Sequence, residues 1–356
     1  MKLAALLVFL LAAAPALWAP MPARAAACPV IFYPPAGNTK PSPIAPRGPG
    51  LVLMGGGTDV DAAFRWMALE AAGSPTRDAG DVVVLRASGD NDYDSYIRGL
   101  AHFNSVRTIL LPPCSPASAI ARAASIVSRA QNLFFAGGDQ ADYVIWKSGP
   151  LAAAVQRLYD RGGIVGGTSA GLAILGQYVF DAVAGDRTHD VYTADAVPDP
   201  EERAISFTEN FLSFPPLHDV ITDTHFHQRD RFGRLAAFLA LLRQRGHYVR
   251  GIGIDARSAL AVDRNGIATL LLQGSGGRAL FVRGGTVERL QARRPLQFRG
   301  LDVILLDRNG ATFDLRRWCG AGRRYSVDVN GDTKHIYAPA DPYTAPPGSR
   351  NAACAN

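Results

Sequence analysis

At 356 residues, with 48% hydrophobic and 19% charged residues and a formal net charge of +6, the chain has the length and apolar content of a protein built around a sizeable core, which excludes a disordered tail or a small disulfide scaffold. Lysine and arginine are dispersed, with no like-charge run and no aromatic-studded basic stretch, so composition argues against a nucleic-acid partner. Residues 1–27 open with Met1-Lys2, run through the apolar residues 3–11 and close with Ala23-Arg24-Ala25-Ala26-Ala27. That order of charge, apolar core and small-residue exit reads as a secretory signal peptide. A membrane anchor needs about 20 unbroken apolar residues, and Pro15, Pro20 and Pro22 interrupt this run. Cys28 after three alanines admits a lipoprotein, although Ala25 stands where a lipobox usually carries Leu. Cleavage would remove Lys2 and Arg24, leaving a net charge of about +4 on a secreted or periplasmic chain with no membrane attachment.

Six prolines between residues 34 and 49 resist regular structure, so residues 28–49 read as a leader segment. From residue 50 the pattern changes. Leu51-Val52-Leu53-Met54, Asp81-Val82-Val83-Val84-Leu85, Thr108-Ile109-Leu110-Leu111, Leu133-Phe134-Phe135 and Ile164-Val165 are short apolar runs separated by helical stretches. Continuous apolar strands alternating with helices predict an α/β fold, a parallel sheet flanked by helices, over residues 50–270. Residues 271–356 read as a β-rich C-terminal extension and tail, with strand-like runs broken by Gly-rich turns. The four cysteines, Cys28, Cys114, Cys319 and Cys354, form no CxxC pair. In an oxidising compartment they allow two disulfides in three connectivities, among them a Cys28–Cys354 bridge tying the ends together.

The residues that carry chemistry begin at Gly166-Gly167-Thr168-Ser169-Ala170-Gly171, between the apolar Ile164-Val165 and a helical run. Strand, sharp turn and helix around GxSxG make a nucleophile elbow, whose small residues let the chain turn tightly while the serine hydroxyl stands exposed. An ordinary glycine-rich βα turn is the bland alternative. Ser169 needs a base, and among seven histidines His225 and His227 stand out. They follow the strand-like Val220-Ile221 and precede an Ala- and Leu-rich helix, a place from which an imidazole can reach a serine on a neighbouring strand. Spacing alone does not choose between them. Gly55-Gly56-Gly57 has a phosphate-loop look but lacks the following Gly-Lys-Ser or Gly-Lys-Thr.

Four blocks in order, Gly137-Gly138-Asp139-Gln140, Gly167-Thr168-Ser169-Ala170-Gly171, Asp223-x-His225-Phe226-x-x-Arg229-x-Arg231-x-x-Arg234-Leu235 and Gly251-Ile252-Gly253-Ile254-Asp255, resemble those of the cyanophycinases, a branch of the dipeptidase E (S51) serine peptidases. The resemblance covers residues 51–262. It implies a flavodoxin-like or class I glutamine-amidotransferase-like core and a Ser-His-acid triad that works without metal or organic cofactor. It also implies cyanophycin, a polyaspartate carrying arginine on its β-carboxyls, or a related Asp/Arg peptide as the partner molecule, with β-Asp-Arg dipeptides as products. It leaves a homodimer open.

Carried over residue by residue, Ser169 is the nucleophile and His225 the base, while Gln140, Asp223, Arg229, Arg231 and Arg234 contact substrate. Thr224 stands where the family often has Gln, which puts one contact in doubt. The amides of Ala170 and of Gly56 and Gly57 are the expected oxyanion donors. The acid is left among Asp181, Asp186, Asp190 and Asp195. Asp195 is chosen because Thr193-Ala194-Asp195-Ala196-Val197 fills the place of a family Ser-x-Glu-Ala-Leu stretch. The three arginines cannot all share one helix face, since positions two apart diverge by about 200°, so at least one is expected to pair with Asp223 or Asp230. Two rivals remain: an α/β-hydrolase esterase using His335, and a non-catalytic binding protein of the same fold.

Overall fold

The computed structural model describes residues 28–185 and 190–354, so the segment read as a signal peptide and the candidate acid Asp186 lie outside the described residues. Five strands, β1 (Gly50–Met54), β2 (Asp81–Arg86), β3 (Ser105–Leu110), β4 (Asn132–Phe135) and β5 (Ile164–Thr168), pair in parallel in the order β3-β2-β4-β5-β1. Their apolar runs are unbroken because both faces are covered. Val52 and Met54 of β1 pack with helix α1 (Asp61–Ala72) and with Ile97 of α2 (Asp92–Leu100), whereas Leu51 and Leu53 join a core with α3 (Ala117–Val127) and α4 (Pro150–Asp160). Gly73 ends α1 in the left-handed region, φ 70°, and its N–H bonds Leu69 O at 2.7 Å, the cap that glycine makes without steric cost.

A second sheet forms beneath the first. Its centre is a parallel pair, β6 (Val220–Asp223) and β7 (Arg250–Ile254), and it extends antiparallel through β10 (Ala279–Gln291), β11 (Arg294–Leu306) and β12 (Arg323–Asn330). Between them in sequence, β8 (Ser258–Val262) and β9 (Ile267–Leu272) extend the first sheet from β1. Ile252, Ile254, Phe281 and Ile304 face the first sheet, while Leu280, Val282, Val303 and Leu305 face α7 (Phe232–Gln244) on the outside. The stacked rings of Phe281 and Phe313, 3.6 Å apart at their centroids, join the two layers. The β-rich C-terminal extension thus completes both sheets.

The leader is ordered where its prolines allow. Ile31–Phe32 and Ala36–Gly37 each add two residues to the free edge of β3. The disulfides are Cys28–Cys114 and Cys319–Cys354, one of the three open connectivities and not one that contains a Cys28–Cys354 bridge. The leader strand and the strand that begins at Cys319 lie at opposite edges of the first sheet, and a disulfide needs Cα atoms within about 7 Å. The tail is held beyond its disulfide as well. Arg350–Asn351 pairs with β12, and Tyr343 is 5% exposed.

Candidate active site

Ser169 follows β5 directly and starts the single-turn helix α5 (Ala170–Ala173); its backbone sits at φ 53° and ψ −120°. Side chains rarely adopt such a φ, and it turns the serine out at the sheet's carboxyl edge. The small flanking residues are obligatory. A Cβ on Gly167 would lie 2.2 Å from Gly171 O, and one on Gly171 would lie 2.2 Å from Phe135 O. The Ser169 N–H bonds Met54 O at 3.1 Å, fixing the turn to β1.

His225 leaves β6 with a second left-handed backbone, φ 46°. Its N–H donates to Gly55 O at 2.8 Å, and its Nε2 lies 2.9 Å from Ser169 Oγ. Burial first, then the neighbouring Arg229 and Arg231, push its pKa down to about 4 against the opposing pull of Asp223. At neutral pH the imidazole is therefore neutral and able to accept the serine proton. His227 is separate from this pair. Its N–H bonds Asp255 Oδ1 at 2.9 Å and its ring meets Tyr343 edge-on.

A pocket of about 270 Å³ opens at Ser169, lined among others by Gly138, Gln140, Ala170, Asp190, Asp223, Thr224 and the three arginines. The three arginines do not share a helix face, in line with the expectation: α7 begins at Phe232 and, of the three, carries only Arg234, while Arg229 and Arg231 lie in the preceding turns. All three nevertheless converge on Asp190. Arg234, 3% exposed, forks onto Asp223 at 2.9 and 2.5 Å and also binds Asp190 Oδ1 at 2.9 Å. Arg231, 4% exposed, donates to Thr224 O and Thr224 Oγ1, both at 3.0 Å, and pairs with Asp190. Arg229 has only a 3.5 Å contact with Asp190, and 44% of its side chain is exposed. Three guanidinium groups thus meet two carboxylates, and the least engaged cation stands at the mouth.

Of the three expected oxyanion donors, Ala170 lines the pocket with Ser169, whereas the two glycines do not. A Cβ on Gly56 would lie 2.4 Å from His225 Nε2, and Gly57 faces Ala256 and Arg257. Gly56 therefore leaves room for the imidazole, and neither glycine lines the pocket. Gly138 does, beside Gly137, whose added Cβ would stand 3.5 Å from Ser169 Cβ. Among the described residues no hydrogen bond engages the N–H of Gly138 or of Ala170. The Gly137-Gly138 pair after an apolar strand was the available signal, since β4 neighbours β5 and delivers that turn to the same sheet edge.

The candidate acids part ways. Asp195 closes the start of the short helix α6 (Thr193–Ala196), accepting the Tyr192 N–H at 2.8 Å, and does not line the pocket. Asp181 binds Thr208 Oγ1 at 2.8 Å, the Ser206 hydroxyl and the Val183 N–H. Asp190 is taken up by the arginines, which hold its carboxyl below the usual range despite burial. Asp223 is the carboxylate whose charge favours the His225 imidazolium. His335 of the esterase alternative lies in the turn after β12, outside this pocket.

No family model matches the chain. The chain is similar to cyanophycinases. It is 30% identical over 145 residues to the cyanophycinase of Trichormus variabilis, covering 40% of this chain and 43% of that protein. To the cyanophycinase of Synechococcus elongatus it is 26% identical over 151 residues, 42% of this chain and 41% of that one. It therefore spans about two fifths of the length of the curated relatives it matches. A crystal structure of a peptidase from an acI-B1 actinobacterium superposes with a TM-score of 0.47 at 15% identity, over 76% of this chain and 98% of that one.

Proposed function

We propose that the chain is an exported serine peptidase that cleaves cyanophycin, or a closely related Asp/Arg peptide, to β-Asp-Arg dipeptides. The observation that carries the reading is the 2.9 Å approach of Ser169 Oγ to a neutral His225, both on left-handed backbones, beside a pocket whose least engaged cation is Arg229. His225 Nε2 takes the serine proton as Oγ bonds to the scissile carbonyl carbon. The Gly138 and Ala170 N–H groups hold the developing oxyanion, a single such donor being worth about 3 kcal/mol of barrier. His225 then gives the proton to the leaving amine, the C–N bond breaks, and water repeats the sequence on the acyl-serine.

Asp223 supplies negative charge that favours the transient imidazolium. Arg229 offers a planar fork to a substrate carboxylate, while Arg231 and Arg234 build the wall behind it. Incubation with purified cyanophycin and mass analysis of the products tests the reading, with β-Asp-Arg expected. Intact polymer together with no labelling of Ser169 by a fluorophosphonate probe would remove it in favour of a binding protein.

A further inference from the structure

The segment that carries His225 and two of the arginines is held by buried tyrosines of the C-terminal tail. Tyr337 OH and Tyr343 OH both donate to Asp230 Oδ1, at 2.9 and 2.8 Å. The same two oxygens accept the first N–H groups of α7, Tyr343 from Phe232 at 2.8 Å and Tyr337 from Gly233 at 3.1 Å. These donors have no partner within a helix, so phenols distant in sequence cap it. Burial, with nearby Asp230 adding to it, keeps both phenols protonated by raising them above their usual range.

Tyr343 is also held at its other end. Its carbonyl accepts Arg278 Nη1 at 2.8 Å; Arg278 Nε lies 3.0 Å from Asp255, and Asp255 holds the His227 N–H at 2.9 Å. Its ring meets Phe226 and His227 edge-on. The tail therefore grips the His225 segment on both sides, at His227 through Asp255 and Arg278, and at Asp230 and Phe232 through the hydroxyl. Asp230 is the joint of the turn, with a left-handed φ of 42°.

We propose that Tyr343 is a positioning residue, whose hydroxyl, acting with Tyr337 through Asp230, keeps His225 against Ser169 and keeps Arg229 and Arg231 at the pocket. This rests on the functional reading for its kinetic consequence, whereas the positional consequence can be read without substrate. The groups facing His225 are Arg229, Arg231, Arg234 and Asp223. Loosening the turn lets water reach the ring and moves the arginines away, and both changes raise its proton affinity.

The test is NMR titration of the His225 imidazole in the full chain and in Tyr343→Phe and Asp230→Ala, with kinetics on cyanophycin alongside. Both variants should move the His225 midpoint upward by about a unit or more toward the ordinary value. kcat should fall about tenfold with a smaller change in KM, and the double variant should do little beyond either single one. If Tyr343→Phe folds poorly, Asp230→Ala decides, because its side chain is exposed and its loss leaves the tail in place. Unchanged titration and kcat in folded Asp230→Ala, or strictly additive effects, overturn the proposal. A parent chain that cleaves no cyanophycin removes the functional reading but leaves the titration to decide on Tyr343.

Discussion

Two left-handed residues, Ser169 and His225, face each other across 2.9 Å, and the strain in each is borne by bonds to a neighbouring segment: Ser169 N–H to Met54 O, His225 N–H to Gly55 O. Both anchors belong to consecutive residues, so β1 and the turn after it set the distance between nucleophile and base. Ser169→Ala should leave the melting temperature near the parent value and lower turnover by several orders of magnitude. His225→Ala should match it while His227→Ala changes turnover only modestly, and the reverse ranking in steady-state kinetics would reassign the base. The pH dependence follows from the depressed His225 pKa. The imidazole must be neutral to act, so kcat/KM should be flat from neutral pH downward and fall through about pH 4, rather than near the ordinary value. Because an unfolded histidine takes up its proton near pH 6.5 and the folded one resists, the same group weakens the fold as pH drops from that value toward 4. A kcat/KM profile with its acidic limb at pH 6 or above would show that water reaches His225.

At the scale of elements, the start of α7 separates the arginines by task. Arg234 is buried and forks onto Asp223 while also holding Asp190, so Arg234→Lys loses a planar pairing inside the protein. Its expected signature is lost stability, about 2–4 kcal/mol in denaturant unfolding, since disrupting a buried pair is strongly destabilising. Arg229→Lys should leave stability within about 0.5 kcal/mol and lower kcat/KM on cyanophycin at least tenfold. Near-parental kinetics in Arg229→Lys would make the mouth of the pocket a solvated turn. This division was only partly legible beforehand. The motif marked all three arginines, and pairing of one with Asp223 follows from their crowding. That two precede the helix depends on Asp230 entering the left-handed region, which the tail tyrosines support and local sequence does not announce. The elbow was legible because its glycines answer a local steric demand, at Gly167 and Gly171. The nearness of Gly138 to Ser169 and of Asp223 to His225 was not, since both depend on which turns neighbouring strands bring to one edge.

Across the whole molecule, the first sheet was readable from unbroken apolar runs, whereas the second was not, because β6 and β7 are separated by α7 and completed by antiparallel strands from the last third of the chain. The two disulfides now make a contrast that neither sheet alone would suggest. Cys28–Cys114 closes a separation of 86 residues and fastens the leader at the free edge of β3; Cys319–Cys354 closes 35 residues and fastens the tail that carries Tyr343. The chain-entropy relation assigns about 4.6 kcal/mol to the longer loop and about 3.8 kcal/mol to the shorter, as upper figures. Serine replacement of either pair should therefore lower the unfolding midpoint, the leader pair at least as much. Turnover should respond the other way round. The leader bridge is at the opposite sheet edge from the strand at Cys319, so its loss should leave kcat on cyanophycin within about twofold at temperatures where the variant stays folded. Loss of Cys319–Cys354 frees the tail to detach from Asp230 and Phe232, and kcat should fall several-fold while Ser169 remains reactive to a fluorophosphonate at a slower rate. Equal kcat losses in the two variants, measured well below both melting temperatures, would mean that the tail contributes stability alone.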